Sequence, residues 1–126
     1  PVASLMRSKY GEYPEYHTSL DDLSLVTPSG LEGGFVALKR AIEVIESNVR
    51  LTSTVLCEPQ LGKRGLYPTL STKESGEQVR LMMNLISYCD GRTLLDIADL
   101  IGAPMWDLLD LLPPLIGSGL IEAKPA

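Results

Sequence analysis

The stretch DGRTLLDIADLIGAPMWDLLDLLPPLIGSGLIEA, residues 90–123, decides how this chain is to be read. Its apolar residues recur at helical spacing, and its breaks fall where helices end. Thr93 stands ahead of Leu94, with Asp96 three positions on. In that arrangement a hydroxyl and a carboxylate satisfy each other's exposed backbone N–H groups at a helix start. Gly102 closes this short helix, since glycine accepts the left-handed backbone a helix C-terminus asks for. Pro104 then opens a further helix over 104–116, proline being well placed in a first turn. Pro113 and Pro114 lie inside its pattern and predict a kink or a restart. GLIEAKP, 119–125, closes the segment as a short strand.

Upstream, EQVRLMMNLISYC at 77–89 is also helical, with Val79, Met82, Met83, Ile86 and Cys89 on its inward face, and Asp90-Gly91 breaks it. A polar turn, a short helix, Gly-x-Pro, a third helix and GSGLIEA leading into a wing together resemble a winged helix-turn-helix module over 76–126. That likeness implies a fold and little about chemistry. The charges argue against the DNA-binding use of such a module. Residues 77–126 carry seven carboxylates against three basic side chains, a balance of −4. The helix that would enter a major groove has Asp107 and Asp110 and neither Lys nor Arg, where base edges and phosphates ask for Arg, Lys, Asn or Gln. No nucleic-acid partner is expected; a protein-packing or assembly role is. Trp106 fills the module's core, the preferred reading, or anchors an interface.

Toward the N-terminus, EPQLGKRGLYPTLSTKESGE has the Gly and Pro punctuation of a connector, placed at 58–75. Its LGKRG lacks the G-x-x-x-x-G-K-[ST] spacing of a phosphate loop and reads as an ordered turn. VRLTSTVLC, 49–57, alternates as a strand with Val49, Leu51, Ser53, Val55 and Cys57 on one face. TPSGLEGGFVALKRAIEVIESN, 27–48, sets Leu31, Phe35, Leu38, Ile42 and Ile45 at spacings of four and three, one face of a helix. Its start is at Ser29, with Glu32 completing a capping box, or at Thr27-Pro28. Asn48 is its stop. Gly33 and Gly34, each costing roughly 1 kcal/mol against Ala inside a helix, point to close packing against another element or to a later start. Val2 to Met6 reads as a short buried strand with no capping lead-in, which suggests the C-terminal piece of a longer protein.

The bulk properties set limits. The 126 residues suffice for one ordinary domain or two small modules. A content of 44% hydrophobic and 21% charged residues is that of a soluble globular protein. A net charge of −5 and a pI of about 4.8 give no basic footprint for a phosphate backbone. Cys57 and Cys89 sit far apart without C-x-x-C spacing, so reduced thiols in a cytoplasmic protein are expected. No apolar run approaches the roughly 20 residues of a membrane span, and no signal peptide is recognised. No membrane partner is expected.

YGEYPEYHTSLDDL, 10–23, holds the chain's one histidine, His17, among three tyrosines and four carboxylates. One imidazole is not a metal site. With LMRSK ahead of it and an amphipathic helix behind, the stretch is similar to the end of the catalytic domain in di-zinc aminopeptidases of the transferrin-receptor and glutamate-carboxypeptidase type. Tyr16, His17, Thr18, Ser19, Leu20 and Asp21 match that family's Tyr-His-Thr/Ser-x-x-Asp motif, which supplies its last zinc ligand. Taken with LCEPQLGKRGLYPTLS and the winged-helix end, nearly the whole chain resembles bacterial aminopeptidase-like proteins associated with polysaccharide biosynthesis. The resemblance implies that His17 is a zinc ligand through one ring nitrogen, about 2.0–2.1 Å from the metal, its other N–H held by an acceptor. Asp21 is implied as that acceptor or as a cap, and Tyr16 and Tyr13 as walls of a substrate cleft.

In the family the other zinc ligands and the glutamate base lie upstream of this histidine, and nothing before residue 10 supplies them. Glu12 and Glu15 match no ligand position. The expected fold class is α+β: the end of an α/β peptidase-type domain (strand, loop, helix, strand) at 1–57, the connector at 58–75, and the winged helix at 76–126. The longer protein is expected to be a zinc-dependent hydrolase of a peptide-like substrate, this chain alone being neither catalytic nor zinc-loaded. Its expected partner is the rest of the peptidase domain. The unpaired sheet edge also seeks a neighbour, so a homo-oligomer, strand exchange or an irregular segment follows. The alternative is a non-enzymatic adaptor that works through the winged helix, with a DNA-binding regulator a distant third.

Overall fold

A computed structural model describes residues 2–67 and 73–126. In chain order the elements are α1 (Pro28–Ser47), β1 (Val49–Ser53), α2 (Lys73–Ser87), β2 (Asp90–Thr93), α3 (Leu94–Ile101), α4 (Met105–Leu109), α5 (Leu112–Gly117) and β3 (Ile121–Pro125). They divide into two compact units, Pro1–Glu43 and Val44–Ala126.

The second unit is built on a short sheet. A five-residue strand is marginal alone, and β1 is stabilised by antiparallel partners on both sides, in the order β2-β1-β3. Against β3 the register is regular, with Leu51 opposite Ala123 and Ser53 opposite Ile121. Against β2 it slips between the pairs Arg50–Thr93 and Thr52–Asp90. Leu51 is fully buried and clusters with Leu85 of α2, Ile97 of α3, Leu108 of α4 and Leu115 of α5. The mixed helices and antiparallel sheet are the expected α+β class. The strand expected at 49–57 ends at Ser53 because the next residues turn back: the Val55 N–H donates to Ser53 Oγ at 3.3 Å, and that hydroxyl donates to the Val55 carbonyl at 3.0 Å.

This sheet corrects the expected domain division. The sequence groups β1 with 1–57 and opens the module at 76, whereas β1 is the central strand of the second unit. The connector belongs to that unit too, because Leu61 is fully buried in its core. Its residues 68–72 lie outside the described residues. LGKRG forms a 3-10 turn at Gly62–Arg64, and the N–H groups of Arg64, Gly65 and Leu66 are spent on the Leu61 and Gly62 carbonyls. An anion would find those donors already used.

α3 follows its sequence signals. The Asp96 N–H donates to Thr93 Oγ1 at 3.2 Å, and the Thr93 N–H and hydroxyl donate to Asp96 Oδ2 at 3.3 and 2.7 Å. The Thr93 hydroxyl, foremost, holds the Asp96 carboxyl below its ordinary value. Asn48, expected only to stop α1, also caps α3 from a distance by accepting the Leu95 N–H at 3.1 Å. Gly102 has φ +66 and satisfies the last turn of α3. Of the kink or restart expected within 104–116, the structure shows a restart: the helix breaks at Asp110 and Leu111, and α5 begins again with Pro113 and Pro114 in its first turn.

The first unit is different in kind. Val2 to Met6 form no strand and are exposed, Val2 at 99%, because no strand among the described residues pairs with them. Residues 9–26 run as successive turns. α1 starts at the upstream alternative: Thr27 Oγ1 accepts the Gly30 N–H at 3.1 Å, with Pro28 in the first turn. The close packing expected at Gly33 and Gly34 is not seen, since a Cβ at either would meet nothing within 4 Å. In residues 2–43 the one buried residue is Gly30.

Candidate functional site

The histidine loop is a chain of reverse turns. The Tyr16 N–H donates to the Tyr13 carbonyl at 3.2 Å, Thr18 to Glu15 at 3.1 Å, and Asp21 to Thr18 at 3.2 Å. Thr18 fixes the middle turn with its side chain, its hydroxyl donating to the Glu15 carbonyl at 2.9 Å and accepting the Leu20 N–H at 3.2 Å. These bonds leave His17 in the left-handed region, φ +57, which is uncommon outside glycine though less so for histidine. The Tyr16 ring meets the imidazole edge-on at 4.2 Å, and Tyr13 meets Tyr16 edge-on at 5.6 Å. The imidazole itself is exposed.

The expected site residues fall into two groups. Tyr13 and Asp21 line an open cavity of about 460 Å³ with Arg7, Ser8, Thr27 and Gly30. Tyr16 and His17 lie outside its lining and adjoin it through the Tyr13–Tyr16 ring contact. The capping role offered to Asp21 belongs to Thr27, while its neighbour Asp22 closes a local turn, its Oδ1 accepting the Ser24 N–H at 2.7 Å. Hydrogen bonding to Ser24 holds the Asp22 carboxyl below its ordinary value. Arg7 was missed. Its guanidinium lies over Gly30, where a Cβ would collide with it. The residue's one signal in sequence is a cation directly ending an apolar run.

A zinc site needs three or four protein donors. Among the described residues no group of three His, Cys, Asp or Glu side chains is placed to hold a metal.

The second unit offers other features. Trp106 is 37% exposed while its neighbours Met105 and Leu108 are buried, which corrects the preference for the core and leaves the indole at the surface margin. Cys57 and Cys89 are free thiols that line one cavity of about 350 Å³. Cys89 is buried, donates to the Leu85 carbonyl at 3.1 Å, and is pushed up to about 11 by burial. Among the described residues no single helix is long and apolar enough to cross a membrane.

A family described as winged helix-turn-helix matches residues 49–123. The chain belongs to the winged helix-turn-helix family. That match opens on β1, in agreement with the sheet. A domain of unknown function (DUF4910) matches residues 1–48, so on this winged helix-turn-helix protein the two families meet between α1 and β1. The chain is also 40% identical over 101 residues to a Clostridium acetobutylicum polysaccharide biosynthesis protein with an aminopeptidase-like domain. The alignment takes in 78% of the present chain and lies in the C-terminal part of that protein. The winged helix-turn-helix chain thus matches 23% of the length of that curated relative. No solved structure matches it.

Proposed function

We propose that residues 2–27 are the last ligand loop of a zinc-dependent, aminopeptidase-like hydrolase acting on peptide or amide bonds. His17 is one zinc donor, Tyr13 and Asp21 border the substrate cleft, and the winged helix serves packing or assembly. The remaining donors come from a preceding part of a longer protein, and this chain alone is not catalytic. Zinc in such a site supplies Lewis-acid activation of water and carbonyl. One observation carries the reading: the 40% identity to a protein with an aminopeptidase-like domain. The left-handed turn at His17 supports it, since such a conformation persists only where surrounding bonds hold it. The free thiols suit a cytoplasmic protein. The test is the zinc content of the longer protein, wild type against His17→Ala. A lost or weakened site is expected, and equal content in both would clear His17 of the role.

A second reading has its own observation. Asp96, Asp99, Asp107 and Asp110 are all exposed on α3, α4 and the break after α4. A protein-binding adaptor tolerates that acidic surface and a DNA reader does not. No retarded band is expected in a DNA shift assay at low salt; a shifted band would restore the regulator.

A further inference from the structure

We propose that the apolar face of α1 is half of an interface, and that its occupant is the aminopeptidase-like part of the longer protein; this rests on the reading above and names the surface through which it assembles. Leu31, Phe35, Leu38, Ile42 and Ile45 share one face and are 67, 68, 52, 59 and 73% exposed. They leave on the order of 500 Å² of apolar surface together, at the upper end of what a monomer's largest patch shows. Gly34 lies on the same face, inside a helix where it is costly, with open space where a Cβ would go. A partner backbone approaching closely makes use of that space.

Three observations choose the occupant. The family boundary falls between residues 48 and 49, so by family α1 goes with residues 1–48, and only its last turn, from Val44 on, joins the core of the winged helix. Residues 2–43 bury only Gly30, and a domain family without a core in this segment has its core elsewhere. The curated relative extends well beyond the matched 23% of its length, and the match is C-terminal in it. A second copy fits less well. α1 has 20 residues, short of the three or four heptads over which a coiled-coil pattern is read. Pairing through α1 would also leave Leu5, Leu20 and Leu23 in water.

The experiment is hydrogen exchange over 31–45, in this chain alone and in the longer protein, with the oligomeric state of each measured. In the longer protein, exchange slower by at least about tenfold is expected, with the chain alone unprotected and monomeric. Leu38→Glu with Ile42→Glu should abolish that protection and leave the melting of the second unit unchanged. Equal exchange in both proteins overturns the proposal. So does concentration-dependent protection of the chain alone, which would make the occupant a second copy, or a reading frame with nothing upstream. Zinc content is read separately: protection without zinc sinks only the metal reading, and zinc without protection sinks only this one.

Discussion

The helix α1 and the helices of the winged-helix module carry the same kind of apolar periodicity and put it to opposite uses. In α2 and α3 the periodic residues Met82, Leu85, Ile86, Leu94 and Ile97 are buried. In α1 the periodic residues are more than half exposed. Periodicity fixes which side of a helix is apolar. It does not say whether that side meets its own chain, because burial depends on what lies opposite.

The largest effect expected from this contrast is in the second unit. Leu108→Ala removes a fully buried side chain and should cost about 2–5 kcal/mol, as core truncations of leucine do. Denaturant unfolding followed by Trp106 fluorescence measures it. A loss below 1 kcal/mol would mean that the second unit is not the folded core.

Next comes a pH effect at Cys89. Its thiol is held protonated up to about 11 in the fold, against 9.0 as its ordinary value. Below pH 9 the thiol is protonated in both states and its contribution is fully present. As pH rises from 9 through 11 the unfolded chain ionises first, so stability falls across that window. At about 1.4 kcal/mol per pKa unit the loss is on the order of 2–3 kcal/mol. Cys89→Ala should remove this part of the alkaline slope; an unchanged slope would assign it to tyrosine and lysine titration.

Thr93→Ala removes the cap of α3 and should cost about 1 kcal/mol. It should also change the acid limb. Asp96, held below 3.8 by Thr93, contributes stability above that value and loses it as pH falls through its lowered pKa. Parallel acid titrations of the two proteins would show whether the variant loses that dependence.

The smallest effect sharpens the contrast most. Leu38→Ala in this chain should change stability by no more than about 0.5 kcal/mol, as exposed substitutions do. A cost near that of Leu108→Ala would show that α1 is already covered.

Much of the second unit was legible. The Thr93–Asp96 box and the Gly102 stop rest on contacts within a few residues, and the inward face of 79–89 and the closing strand show in local periodicity and turn residues, though what they pack against does not. The place of β1 was not legible, since a strand's partners come from far along the chain: Val49 to Ser53 read equally well as the end of a preceding sheet. Leu61 in the core, Asn48 capping α3 and Arg7 over Gly30 escaped for the same reason. For the candidate site, the Tyr16–His17–Thr18 motif could be read, but its division could not. Tyr13 and Asp21 share a cavity that excludes Tyr16 and His17, an outcome of turn geometry that spacing does not encode.

By itself the sequence determined where helix forms, the Thr93–Asp96 box and the Gly102 stop, the acidic character of 77–126 and the single imidazole, because these follow from side chains acting on their own backbone or from charge alone. Tertiary structure decided that β1 joins the winged helix, that Trp106 stands at the surface margin, and that the apolar face of α1 is left open. Those outcomes depend on which surfaces meet, and burial is a property of a pair of surfaces, of which a periodic pattern describes one.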